Sequence, residues 1–253
     1  MRVTFLGTGT QRPTRRRAHQ SGLLVETADE RLLVDCGAGT LAQLARAGLG
    51  ADAVDRIALT HFHPDHTLDL VAILFAHQHP AVARRAPLRI YGPPGLEVFY
   101  ERLQVAWLAA FHRTPGNFRL HEIPGGPHDA GPWRITAAPT PHDAASQAYR
   151  VEAGGIALGV TGDTGPSPAL AQLFRNVDLL VSECALATGV EARGHLNARQ
   201  AGELARAANA QRLVLTHLTP EVEREDDPTL GARATFPGPV ALAEDGMAIE
   251  VGA

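Results

Sequence analysis

The sequence predicts an α/β protein whose strands do not join into one simple doubly wound sheet. Three observations predict it. Short apolar runs alternate with helix-patterned stretches and Gly/Pro turns. Strand candidates come in consecutive runs at both ends, with strand–helix alternation between them. No linker, repeat or low-complexity block divides the 253 residues, so a single domain over residues 1–253 is expected.

The elements follow in order. Val3–Leu6 reads as a strand ending at Gly7-Thr8-Gly9, and Gly22–Glu26 and Arg31–Asp35 as paired strands around Thr27–Glu30. Leu41–Ala47 has helical spacing and stops near Gly48. Arg56–Thr60 is a short buried strand, with a helix over Leu68–His77. Arg89–Tyr91 is a strand ended by Gly92-Pro93-Pro94, and Leu96–Phe111 a long helix with Leu103, Trp107 and Phe111 on one face. Trp133–Ala137, Ala148–Glu152, Ile156–Val160 and Leu179–Ser182 are strands, with a helix over Pro168–Phe174. Asn197 caps a helix to Ala208, Gln200 completing a capping box. Leu213–Thr216 and Ala248–Val251 are the last strands.

Composition narrows the functional classes. The chain is 45% apolar and 20% charged, so a sizeable core forms without disulfides. Cys36 and Cys184 stand far apart and read as buried thiols in a reducing compartment. The N-terminus lacks a secretory apolar core, and no run approaches the ~18 apolar residues of a membrane span, so a cytoplasmic location is expected. A net charge of −4 speaks against general nucleic-acid affinity. All 23 basic residues are arginine; without lysine, Schiff-base catalysis is excluded.

The densest chemistry lies in Thr60-His61-Phe62-His63-Pro64-Asp65-His66. On an extended segment, residues i and i+2 face the same way, so His61 and His63 suit one metal ion. Pro64 keeps His63 extended and can start the next turn, which aims Asp65 and His66 at a neighbouring point. Elsewhere His142, Asp163 and His217 each follow a predicted strand, the edge where α/β sites form.

The ligand count then closes. His61, His63 and His142 serve one ion, Asp65, His66 and His217 a second, and Asp163 bridges both. Nitrogen and oxygen donors without thiolate suit two Zn²⁺ per chain, with Mn²⁺ or Fe as alternatives. A water bridging two such ions would be deprotonated near neutral pH and serve as nucleophile. His19, His77, His79, His112, His121 and His128 are assigned as ordinary surface or hydrogen-bonded histidines.

HFHPDH resembles the HxHxDH signature of the metallo-β-lactamase superfamily, followed in order by TPH at His142, TGD at Asp163 and LTH at His217. FLGTGTQRPTRRRAHQSGLLVE, LLVDCGAG and GHLNARQAGELARAA are similar to the ribonuclease Z-like branch. The ending DGMAIEV is similar to small phosphodiesterases associated with carbon–phosphorus lyase. This resemblance spans essentially the whole chain. It implies a four-layer αββα sandwich, two mixed β-sheets flanked by helices, with two zinc ions and hydrolytic chemistry.

It also implies roles. Asp35 orients a ligand histidine, although an Asp at that place also suits a turn cap. Asp65, Glu183 and His195 are the catalytic candidates. Glu183 supports or orients His195, which contacts the phosphate or protonates the leaving oxygen, in a triplet His-Leu-Asn where ribonuclease Z carries HxT.

Substrate class follows from the departures. Only 20 residues separate His142 from Asp163, no extended basic arm for tRNA is visible, and the Cys-rich extra zinc site is missing. Small or cyclic phosphodiesters and RNA ends are expected first, with larger RNA less favoured. A lactonase, arylsulfatase or thioester hydrolase, a ribonuclease Z-type tRNA 3′ endonuclease, and a metal-binding module without turnover are the alternatives. The RPTRRR run suits a phosphate at the rim or a solvated loop equally, and Trp107 and Phe111 suit core or a homodimer face.

Overall fold

Central strands in this chain are apolar at successive positions because both faces of each sheet are covered. A computed structural model, describing residues 1–79, 86–111, 118–225 and 227–252, shows what covers them. His112 and the side chain of Phe111, both named above, lie outside the described residues.

The first sheet contains β1 (Arg2–Gly7), β2 (Gly22–Glu26), β3 (Arg31–Val34), β4 (Arg56–Ala58), β5 (Leu88–Gly92), β6 (Phe118–Glu122) and the last strand, β14 (Ala248–Glu250). Its order is β14-β1-β2-β3-β4-β5-β6. Pairing is antiparallel as far as β3 and parallel beyond it. The second sheet contains β7 (Gly126–Ala130), β8 (Trp133–Pro139), β9 (Gln147–Ala153), β10 (Ile156–Val160), β11 (Leu179–Cys184), β12 (Leu213–Leu218) and β13 (Val240–Leu242). It runs β13-β12-β11-β10-β9-β8-β7, antiparallel from β7 to β10 and parallel from β10 to β13. Both sheets are therefore mixed.

Among the described residues, strand periodicity sorts the side chains into three cores. In β2, Leu23 and Val25 enter the core between the sheets, while Leu24 faces outward. In β11, Leu179 and Val181 enter the same central core and Leu180 the opposite one. Phe5, Trp133 and Tyr149 fill the middle. Helices α1 (Thr40–Arg46), α2 (Pro64–Ala76) and α3 (Leu96–Phe111) cover the first sheet through Leu44, Leu70 and Leu96. Helices α4 (Pro168–Leu173) and α5 (Ala198–Ala207) cover the second through Leu170, Ala201 and Ala205. The layers are helix, sheet, sheet, helix: the metallo-β-lactamase fold.

The Asn197 cap forms as predicted. Its side chain accepts from the Gln200 N–H at 3.0 Å, and the Gln200 side chain accepts from the Asn197 N–H at 3.0 Å. Other expectations need correction. α2 begins at Pro64 rather than Leu68, so Asp65 and His66 lie in its first turn. Strands β6, β7 and β13 escaped the pattern because they sit at sheet edges and are mostly half-exposed. Trp107 is not core: it sits at a kink in α3, with φ −118° and ψ 22°, and is 51% exposed. Cys36 and Cys184 are buried and unbridged. Among the described residues, no helix is long and apolar enough to cross a membrane.

Candidate metal centre

Chain segments leaving both sheets bring the polar cluster together at one end of the sandwich. His61 follows β4, His142 follows β8 and Asp163 follows β10. His63 is the N-cap of α2, extended at φ −63° and ψ 147°, with Pro64 in the first helical position. His217 differs from its expected place after a strand, because it lies within β12. Glu183 pairs with Thr216 and Cys184 with Leu218, so His217 is the extra residue of a bulge, at φ 54°.

Hydrogen-bond partners fix which ring nitrogens carry protons. The Gly194 carbonyl can only accept, so His142 donates to it through Nδ1–H at 2.9 Å and keeps a lone pair on Nε2. His66 donates through Nδ1 to Asp35 Oδ2 at 2.8 Å. The Thr60 hydroxyl spends its proton on Asp35 Oδ2, so it accepts from His61 Nδ1 at 3.0 Å. The Nε2 atoms of His61, His66 and His142 are therefore aimed inward. His63 brings Nδ1 to 3.0 Å from His61 Nε2 and 3.1 Å from His142 Nε2, while its own Nε2 faces Asp143 at 3.6 Å. His66 Nε2 and His217 Nε2 lie 3.2 Å apart, with Asp65 Oδ2 3.4 Å from the latter.

Asp163 stands between the two groups with its oxygens divided. Oδ2 is 3.8 Å from His61 Nε2 and 3.7 Å from His142 Nε2. Oδ1 is 3.3 Å from His66 Nε2 and 3.5 Å from His217 Nδ1. Ligand atoms of His61, His63, His142 and Asp163 all lie within 4.8 Å of one another, as do those of Asp65, His66 and His217.

This donor set fits divalent cations. Among the described residues, Asp163 Oδ1 and His217 Nδ1 are buried without a hydrogen-bond partner, an arrangement that costs free energy unless a cation satisfies it. Burial, joined by repulsion from His66, carries the His61 pKa down to about 2, so its lone pair stays available. Burial disfavours charge on His66 too, but Asp163 and Asp35 outweigh it and hold its pKa well above the ordinary value. Without metal, that position is held by a proton, which a cation would displace. For Asp65, burial is overcome by the His217 hydrogen bond and the nearby imidazoles, bringing its pKa to about 2.

Glu183 and His195 meet beside the cluster. Buried Glu183 accepts His195 Nδ1–H at 3.0 Å and the Thr164 N–H at 2.8 Å through Oε1, and the Ala185 N–H at 3.1 Å through Oε2. That bond to Glu183 is the main cause raising the His195 pKa. Nε2 of His195 is left for the cleft, which is lined by Gln11, His63, Pro64, Asp65, His142, Asp163 and His195. A ligand atom of His195 also lies within 4.8 Å of one each from Asp163 and His217.

The arginine run splits. Arg12 makes two bonds to Glu221, of 2.8 and 3.1 Å, and buried Arg17 lies 3.1 Å from Glu223. Arg15 and Arg16 are exposed. Sequence reasoning missed Thr60, Asp143, Gly194 and Gln11. The first two adjoin ligand residues in the chain, which was the available signal. Gly194 adopts φ 90°, and a Cβ there would approach His142 Nδ1 to 3.1 Å, so glycine serves both the turn and the close approach.

Comparison with known proteins agrees with this architecture. Residues 30–218 match the beta-lactamase superfamily domain. Ribonuclease Z of Methanothermobacter thermautotrophicus is 31% identical over 304 aligned positions, covering 99% of this chain and 97% of that protein. Among solved structures, the metallo-beta-lactamase fold protein YhfI from Bacillus subtilis is 29% identical, with a TM-score of 0.85 over 98% of each chain. Human tRNase Z, short form, is 26% identical with a TM-score of 0.80 over 100% of each chain. The chain thus belongs to the metallo-β-lactamase superfamily of metal-dependent hydrolases, in its ribonuclease Z-like branch.

Proposed function

We propose that residues 1–253 act as one hydrolase domain that cleaves phosphodiester bonds with two divalent cations, zinc foremost. The observation that carries this reading is the division of the Asp163 oxygens between two histidine groups. His61, His63 and His142 would hold one ion, Asp65, His66 and His217 the other, and Asp163 both. Bound there, two such ions would supply Lewis acidity toward the phosphate and lower the pKa of a water nucleophile. The protein's own groups do the rest. Asp65, ionised at the cleft, accepts a hydrogen bond from the incoming water. His195, oriented through Nδ1 by Glu183, presents Nε2–H to the leaving oxygen. Asp35 holds His66 in the ligating tautomer.

Small or cyclic phosphodiesters and RNA ends form the substrate class. The ribonuclease Z relatives raise RNA above the place the composition had suggested for it. Size argues in the other direction for folded tRNA. The 304-position alignment exceeds this chain's 253 residues, so about fifty positions have no counterpart here. A second reading, tRNA 3′ cleavage of the ribonuclease Z type, is favoured by those same relatives.

A reconstituted-enzyme panel separates the readings: bis-p-nitrophenyl phosphate, cyclic nucleotides, a short RNA, precursor tRNA, an acyl lactone and an aryl sulfate. Phosphodiesters are expected to exceed the lactone and sulfate in kcat/KM. Faster turnover of either of the latter would move the assignment to another ester class. Precursor tRNA cleaved ahead of the small diesters would select the second reading.

A further inference from the structure

Beneath the ligands, one hydroxyl joins the two halves of the site. Thr60 is fully buried. Its N–H donates to Asp35 Oδ1 at 2.7 Å and its hydroxyl to Asp35 Oδ2 at 2.9 Å. The same Oδ2 receives Nδ1–H of His66 at 2.8 Å. With its only proton committed to a carboxylate, the Thr60 oxygen must offer a lone pair to His61 Nδ1, 3.0 Å away.

We infer that Thr60 is a positioning residue that fixes the Nδ1–H tautomer of His61 and, through Asp35, ties the His61 half of the centre to the His66 half. The surroundings hold the hydroxyl in that role. Gly162, at φ 56°, packs so closely that a Cβ there would meet Thr60 Cβ at 2.8 Å and Oγ1 at 3.0 Å. The turn that carries Asp163 therefore wedges the Thr60 side chain. The Thr60 carbonyl also accepts the Gln147 N–H at 2.8 Å, anchoring it to β9 of the other sheet. If the tautomer reversed, Nε2 of His61 would carry a proton where the centre needs a lone pair.

This inference rests on the proposed metal centre, yet its first test needs no metal. In the metal-free protein, long-range ¹H–¹⁵N correlations should show His61 protonated at Nδ1. Thr60→Val, nearly isosteric but without a hydroxyl, should shift His61 toward the Nε2–H form, and Thr60→Ser should restore it. Chelator-competition titrations with Zn²⁺ follow, with circular dichroism confirming that each variant is folded. Thr60→Val should lose about 10–100-fold in affinity at one site and little at the other. Asp35→Asn should weaken both, since Asp35 holds Thr60 and His66 alike, and it should fold because Asn tolerates the φ of 59° at that position. Thr60→Ala, smaller and also lacking the hydroxyl, should repeat the valine result if valine crowds the site. An unchanged His61 tautomer with unchanged zinc affinity in both variants would overturn the inference. Wild-type protein that binds no zinc, while its His61 tautomer still depends on Thr60, would overturn the metal reading and leave this one standing.

Discussion

Wild-type protein should carry two transition-metal ions per chain by elemental analysis after mild dialysis, and Asp163→Ala should retain neither tightly. The reasoning is geometric. Each Asp163 oxygen faces a different histidine group at 3.3–3.8 Å, so removing the carboxylate takes an anionic donor from both. It also removes the negative charge that would offset the mutual repulsion of two neighbouring cations. The loss at each site should exceed the ~10–100-fold typical of removing an outer partner, and hydrolysis should fall with it. His217→Ala offers the contrast. It stands with His66 and Asp65 on the Oδ1 side of Asp163, away from His61, His63 and His142, so one ion should weaken while the other stays. Asp163→Ala holding one ion as tightly as wild type would show that the carboxylate does not bridge, and a wild-type count of one would sink the dinuclear centre.

The next largest effect concerns His195. It borders the cleft, and its Nδ1 is committed to buried Glu183, so Nε2 is the atom that can meet a substrate. His195→Ala should keep its fold and its metal content while losing about 10²–10⁴-fold in kcat on alkoxide-leaving substrates such as cyclic nucleotides. Nitrophenyl esters, whose leaving group departs without a proton, should lose far less. An equal loss on both substrate types would mean that His195 binds phosphate instead of donating a proton. Loss of metal would make it a ligand, a role open to it because it also neighbours Asp163 and His217.

The candidate site was legible in the sequence to the extent that its residues were adjacent or stood at strand ends. His61 and His63 advertise an extended i, i+2 pair, and Pro64 announces the helix that lifts Asp65 and His66. His142 and Asp163 follow strands whose apolar runs are easy to see. His217 was found by the same rule, yet its actual place is a bulge inside β12, because an extra residue in a ladder leaves no compositional mark. Thr60, Asp143 and Gly194 were missed for a different reason. Each acts on an imidazole through one hydrogen bond or close contact, and only the folded chain shows which imidazole. The edge strands β6, β7 and β13 were missed because partial exposure dilutes the apolar signal on which strand recognition depends.

The ancestry of the ligands within the sandwich has a thermodynamic corollary. His61, His63, Asp65 and His66 come from the chain leaving the first sheet, whereas His142, Asp163 and His217 come from the second. Ions held between them would act as rivets across the seam, resisting any separation of the two leaves that starts at that end. Binding to the native state alone adds about 2.7 kcal/mol per site at a free concentration a hundred times Kd. For a chain of this size each kcal/mol moves Tm by roughly 2–4 °C. Chelation should therefore lower Tm by about 10–20 °C in calorimetry, and hydrogen exchange should quicken on the strand ends of both leaves together. A melting point indifferent to chelator would mean that the seam is closed by apolar packing alone, with the ions serving chemistry and contributing nothing to cohesion.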